Sequence, residues 1–143
     1  MTTNSLQSER HFEENVETFY RHMGYNTRTN TTLHTRPVHI HAHLDHPKEK
    51  QKVLVECKHY TEPVGVEEVQ RFCSKVAFAR ESSEATLGVM VSNAGFTEEA
   101  TMWCKRNCSF VRLRTYKQVV NRSAKVNKLV KKFQKNHTQA SSE

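Results

Sequence analysis

The sequence contains no long apolar run. No stretch reaches the roughly 18 consecutive apolar residues that a membrane-spanning helix needs, so a membrane is not among the expected partners. Cysteine is sparse, with four residues in 143, which is too few for the disulfide framework of a small secreted domain. Glycine and proline number four and three, and there is no internal repeat or low-complexity segment beyond the polar ends. The first residues, MTTNSLQSERHFEE, lack the apolar core of a signal peptide and the acid-poor, Arg-rich make-up of a transit peptide. An intracellular location is expected. Apolar residues make up 36%, lean but sufficient for one small core, so global disorder is not expected.

Acid is missing from one end. The net charge is +7, yet residues 1–113 carry 14 basic and 14 acidic side chains and cancel. Residues 114–143 carry eight basic side chains against Glu143 alone. The excess charge therefore belongs to a C-terminal element and points to an acidic partner such as nucleic acid. Lys117, Arg122, Lys125, Lys128 and Lys132 are the expected phosphate contacts. The tail has no Trp and is modestly apolar, which argues against a membrane-surface helix.

The periodicity defines the elements. Phe12, Val16, Phe19, Tyr20 and Met23 predict an amphipathic helix over 9–23, stopped at Gly24. The Thr- and Asn-rich stretch 25–36 reads as a loop or a first edge strand. Val38, Ile40, Ala42 and Leu44 alternate with His39, His41, His43 and Asp45, and Val53, Val55 and Cys57 alternate with Leu54, Glu56 and Lys58. These are two strands joined by a polar turn over 46–51. A helix is expected over 66–80, a strand buried on both faces at LGVMVS (87–92), and a helix from an N-cap at Thr97 to Arg106. A strand at 109–115 and a basic amphipathic helix over 116–136 complete the chain. Residues 1–8 and 137–143 read as disordered ends. The order predicts one α/β domain, a mixed sheet of about four or five strands flanked by helices on both faces.

If the turn of the hairpin centres near Lys48–Glu49, His41 faces Glu56 and His39 faces Lys58. These polar groups then share one face of the sheet, opposite Val38, Ile40, Ala42, Val53, Val55 and Cys57. A carboxylate and an ammonium two residues apart project on the same side of a strand. Phosphodiester cleavage uses such a pair, a metal ligand beside a fixed cation. The tripeptide alone is common, and by itself it describes a solvated, salt-bridging strand face.

The wider context is more specific. Phe12-Glu13 opens a helix ending at Gly24-Tyr25, followed by Val38-His39-Ile40, VLVECKHY (53–60), Val64-Gly65 with Val69 and Phe72, and GVMVSNAGFTEEA (88–100). In that order, residues 12–100 resemble the Mrr-type branch of the restriction-endonuclease-like, PD-(D/E)xK nucleases, and the related archaeal Holliday-junction resolvases. The resemblance implies a restriction-endonuclease-like fold, DNA as partner (double-stranded or branched) and metal-dependent endonuclease activity. It also makes a homodimer plausible, since cutting both strands takes two sites. It implies Glu56 as a metal ligand, Lys58 as the water-activating or phosphate-contacting cation, and Glu13 as a helper carboxylate. Gln70 is a further candidate, one turn into the second predicted helix.

The chain departs from this pattern at His39, which stands where the family usually carries Asp. Mg²⁺, the family's expected ion, prefers oxygen ligands, whereas imidazole suits Mn²⁺, Zn²⁺ or another softer metal. The metal-ligand candidates are Glu56, His39 and His41. Asp45 lies too far along the strand to substitute readily. Two other readings stay open: a catalytically impaired nuclease-fold DNA-binding module, and a histidine-rich metal-binding interaction domain built on His39, His41, His43 and His46. The chain also fits one domain of a larger effector. Cys104 and Cys108, one helical turn apart, have no second pair to complete a zinc site and read, with Cys57 and Cys73, as buried thiols.

Overall fold

The computed structural model describes residues 3–33, 36–45 and 50–141, with side chains for 8–29, 39–45, 50–129, 131, 132 and 135. In chain order the elements are α1 (Thr3–His22), β1 (Asn26–Leu33), β2 (Arg36–Asp45), β3 (Lys50–Lys58), α2 (Val66–Glu81), β4 (Leu87–Ser92), α3 (Glu98–Asn107), β5 (Val111–Thr115) and α4 (Tyr116–Ser141). The strands form one sheet in the order β1-β2-β3-β4-β5. The first three are antiparallel, and β3, β4 and β5 run parallel. The mixed α/β architecture is as expected, and the ambiguous Thr-rich stretch is the edge strand.

The sheet divides the core in two. Leu54 and Met90 point to α2 and α3 and pack with Val69, Phe72, Val76, Ala100 and Val111. Ile40, Ala42, Val53, Val55, Cys57 and Val91 point the other way, against Phe12, Val16 and Tyr20 of α1 and Val119 of α4. β3 and β4 are therefore covered on both faces, which is why LGVMVS reads as a continuous apolar run. Two turns use left-handed glycines, Gly24 after α1 (φ 97°) and Gly95 after β4 (φ 79°). Thr97 caps α3, its hydroxyl oxygen accepting from the Ala100 N–H.

Several boundaries differ from expectation. α1 begins at Thr3 and α4 reaches Ser141, so most of the segments read as disordered ends continue helices. The apolar stripe of α4 docks through Val119, with Ser123 buried beside it, but Leu129 is 67% exposed. The side chains of Val130 and Phe133, also assigned to that stripe, lie outside the described residues. None of the described helices is long and apolar enough to cross a membrane.

The hairpin register is shifted. His41 pairs with Leu54, not Glu56, and Ala42 with Val53. One residue of displacement at the turn moves the pairing by two, so every side chain keeps its face. The turn itself, 46–49, lies outside the described residues. The shift moves His39 from alongside Lys58 to alongside Glu56.

Candidate active site

Glu56 and Lys58 close β3 on the face that packs against α2. Glu56 is 9% exposed, and a buried carboxylate needs partners. It has two. Lys75 of α2 donates to its Oε1 at 2.8 Å, and the Lys58 Nζ lies 3.6 Å from its Oε2. Lys58 also lies 3.6 Å from Glu68 Oε2, and the Tyr60 hydroxyl donates to both Glu68 oxygens at 3.1 and 3.0 Å. Lys75, Glu56, Lys58 and Glu68 thus form a chain of alternating charge running from the sheet to the start of α2.

The electrostatics follow from this chain. Burial would raise the Glu56 pKa, but the Lys75 hydrogen bond and the charges of Lys58, Lys75 and His39 outweigh it and hold the carboxyl below its ordinary value. Burial would lower that of Lys58, but Glu56, Tyr60 and Glu68 outweigh it and raise it. Both groups are ionised at neutral pH. Lys58 is therefore suited to stabilising charge on a phosphate rather than to taking a proton.

A second pair sits beside this chain, where β2 parts from β3. The Cys57 N–H donates to His39 Nδ1 at 3.0 Å, a side chain taking a bond that a strand carbonyl makes elsewhere in the ladder. The same Nδ1 lies 3.3 Å from Glu13 Oε1 on α1. Glu13 is held there because Phe12 beside it is buried against the sheet. A cavity of about 240 Å³ opens at this point, lined by Glu9, Phe12, Glu13, His39, Cys57, Lys58, His59 and Tyr60. The Asn93 side chain clips its rim, accepting from the Tyr60 N–H at 2.7 Å and donating to the Tyr60 carbonyl at 2.9 Å.

The donors fit a divalent ion in part. A nitrogen and an oxygen 3.3 Å apart match two ligands each about 2.1 Å from one ion. Glu13 and His39 are thus spaced as a ligand pair once Nδ1, whose single lone pair accepts from the Cys57 N–H, gives up that bond, and the imidazole favours Mn²⁺ or Zn²⁺ over Mg²⁺. Glu56 stands close enough to feel the His39 charge, but its oxygens are turned to lysines. Among the described residues no three His, Cys, Asp or Glu groups converge on one point.

Other candidates fall elsewhere. His41 Nε2 bonds the Glu84 carbonyl oxygen at 3.1 Å, and burial holds its pKa below the ordinary imidazole value. Its ring is engaged away from the Glu13–His39 pair. Gln70 is exposed on α2 and makes no hydrogen bond to the described site residues. Lys117, Arg122, Lys125, Lys128 and Lys132 are exposed along α4. Cys73, Cys104 and Cys108 cluster in the α2–α3 core as free thiols, and burial raises the pKa of Cys73, Cys104 and, across the sheet, Cys57. The sequence reading missed Lys75 and Glu68. Their signal is helical spacing: residues 68, 72, 75 and 79 share one face of α2, and Phe72 and Ala79 are buried on it.

Solved structures share this fold. The DNA modification-dependent restriction endonuclease AspBHI is similar over 76% of this chain and 29% of its own, with 19% identity and a TM-score of 0.60. A repair endonuclease from Pyrococcus abyssi is similar over 80% of this chain and 47% of its own, with 15% identity and a TM-score of 0.54. EndoMS, solved in complex with double-stranded DNA, is similar over 64% of this chain and 36% of its own, with 16% identity and a TM-score of 0.51. The chain thus spans less than half the length of each. No curated protein sequence matches it. The restriction endonuclease family model Mrr_cat matches residues 6–135, nearly the whole of the sheet and its helices, and the chain belongs to that family.

Proposed function

We propose that the chain is the cleavage domain of a DNA endonuclease that hydrolyses phosphodiester bonds with a divalent ion. The observation that carries this reading is Lys58, a buried-flank ammonium held between Glu56 and Glu68 at 3.6 Å each and lining the same cavity as Glu13 and His39. Glu13 would hold the ion, joined by His39 if its Nδ1 releases the Cys57 N–H and by Glu56 if it turns from its lysines, and the ion would lower the pKa of a bound water and offset charge on the phosphate. Lys58 supplies a fixed positive charge toward a non-bridging phosphate oxygen, in a site partly shielded from water. Lys75 keeps Glu56 ionised and in place. Asn93 fixes the backbone at Tyr60, two residues beyond Lys58, and so limits the motion of that charge.

DNA is the proposed substrate. The EndoMS structure holds double-stranded DNA, and the exposed lysines of α4 supply sequence-independent phosphate contacts. Two such domains acting on opposite strands would give a double-strand cut, so a homodimer on DNA is part of the proposal.

A nicking assay on supercoiled, linear and branched DNA with Mg²⁺, Mn²⁺ and Zn²⁺ tests the reading. Cleavage is expected to favour Mn²⁺ or Zn²⁺, and Lys58→Ala is expected to reduce it at least 100-fold with an unchanged circular dichroism spectrum. Cleavage untouched by that substitution removes Lys58 from the mechanism. A second reading, a DNA-binding module with an impaired site, is favoured by His39 in the usual Asp place and by the two lysines on Glu56. It predicts salt-dependent DNA binding with no nicking under any of the three ions, and a gain of Mg²⁺-dependent nicking in His39→Asp if the site is re-tuned rather than lost.

A further inference from the structure

A second cavity lies across the sheet from Glu56, between α1, α4 and strands β2 to β5. Its volume is about 530 Å³, within the range of roughly 300–1,000 Å³ typical of small-molecule sites. Its walls hold Arg112, Arg114 and Arg122 and, among the described residues, no acidic side chain. Among the described residues none of these arginines lies within ion-pair distance of a carboxylate.

Three guanidinium groups around one partly enclosed space repel one another, and an anion bound between them removes that repulsion. Arg112 is turned toward backbone carbonyls, its Nη1 donating to Ser109 and Val111. Arg114 spends Nη1 on the Leu113 carbonyl at 3.0 Å, leaving most of its five N–H donors without a partner among the described residues. Arg114 and Arg122 line the same cavity as Tyr20.

The rest of the wall suits a flat, partly polar body. Tyr20 and Tyr25 meet edge to face with centroids 5.4 Å apart and line the cavity with Val53, Val89 and Val126. Gln118 adds a fixed donor. Its carbonyl accepts from the Thr115 N–H at 2.8 Å, and its amide NH₂ has no partner among the described residues. A base carbonyl or ring nitrogen accepts from such a group, and aromatic side chains bind base faces and edges without demanding a sequence.

We infer that this cavity binds a nucleoside monophosphate, its phosphate on Arg114 and Arg122 and its base among Tyr20, Tyr25 and Gln118. The site is separate from the Glu56–Lys58 chain, because the residues of β3 that line it, Gln51 and Val53, are of opposite parity to Glu56 and Lys58. It does not depend on nuclease activity.

Isothermal titration of the full chain with AMP, GMP, CMP and UMP, and with inorganic phosphate, tests the inference. At least one nucleotide is expected to bind one per chain, at least tenfold more tightly than phosphate. Arg114→Gln and Arg122→Gln are each expected to weaken it about tenfold, while Lys58→Ala leaves it unchanged. Absence of nucleotide binding, or binding indifferent to both arginine substitutions, overturns the inference. Phosphate binding as tightly as the nucleotides overturns the base-binding half, and loss in Lys58→Ala relocates the nucleotide to the β3 site and overturns the placement. If the Gln variants do not fold, Arg114→Lys and Arg122→Lys keep the charge and remove the fork. Unchanged affinity in those folded variants is equally fatal.

Discussion

Glu56 is a carboxylate that its partners keep charged, and Lys75 is the nearer of them. The Lys75 and Glu56 side chains are mostly withdrawn from water, at 17% and 11% exposure respectively, so the contact is stronger than a surface pair. Lys75→Met is expected to destabilise the fold by about 1.5–3 kcal/mol in urea unfolding at pH 7, the range for hydrogen bonds to charged groups. The pH dependence has a definite sign. The folded Glu56 pKa lies below the ordinary 4.5, so its contribution is present above that value and is lost as pH falls through the folded one. The wild type and Lys75→Met should therefore converge in stability on acidification below pH 4.5. A difference that stays constant through that window would mean Lys75 acts by packing alone. Glu56 and Lys58 stand out in the sequence because their spacing on one strand is local. Lys75 and Glu68 do not, because nothing in the helix says which face of β3 it covers.

Among the elements, β4 is the most legible. Its uninterrupted apolar run announces burial on both faces, and Gly88 explains how α2 comes so close. A Cβ placed there would meet Val76 Cγ2 at 2.4 Å and two Phe72 ring atoms at 3.0 Å. Gly88→Ala is expected to cost about 1–3 kcal/mol through overpacking, read as a lower urea midpoint at unchanged slope. A neutral outcome would show that the α2–β4 contact has slack. The β2–β3 hairpin was legible in face but not in register. Alternation fixes which side chains are inward, whereas a two-residue slip preserves alternation and is decided by the turn. The helix ends were under-read for a similar reason. Polar residues at 3–8 and beyond 136 carry no apolar period, and a helix already nucleated needs none to continue.

At the scale of the molecule, the body is electrically balanced and the excess charge lies on α4. Val119 and Ser123 are buried, so α4 is part of the core, and deleting it would confound affinity with folding. Charge removal is the cleaner test. Replacing Lys117, Lys125, Lys128 and Lys132 with Gln should lower DNA affinity and reduce the slope of log K against log salt by about 3 if most of the four sit on phosphates. An unchanged slope in the folded variant would make these lysines a solvated face.

The identity of every element but β1, the face each strand residue takes, the Glu56–Lys58 spacing and the location of the excess charge are written in the chain itself. All of these follow from local periodicity and counting. It took the tertiary structure to decide that two lysines share Glu56, that His39 meets Glu13 while His41 turns to Glu84, that Gln70 is exposed, and that Arg114 and Arg122 line one cavity. Each of these joins residues on different elements or depends on which face an element presents. That is set by strand order, register and the side of the sheet on which each helix packs.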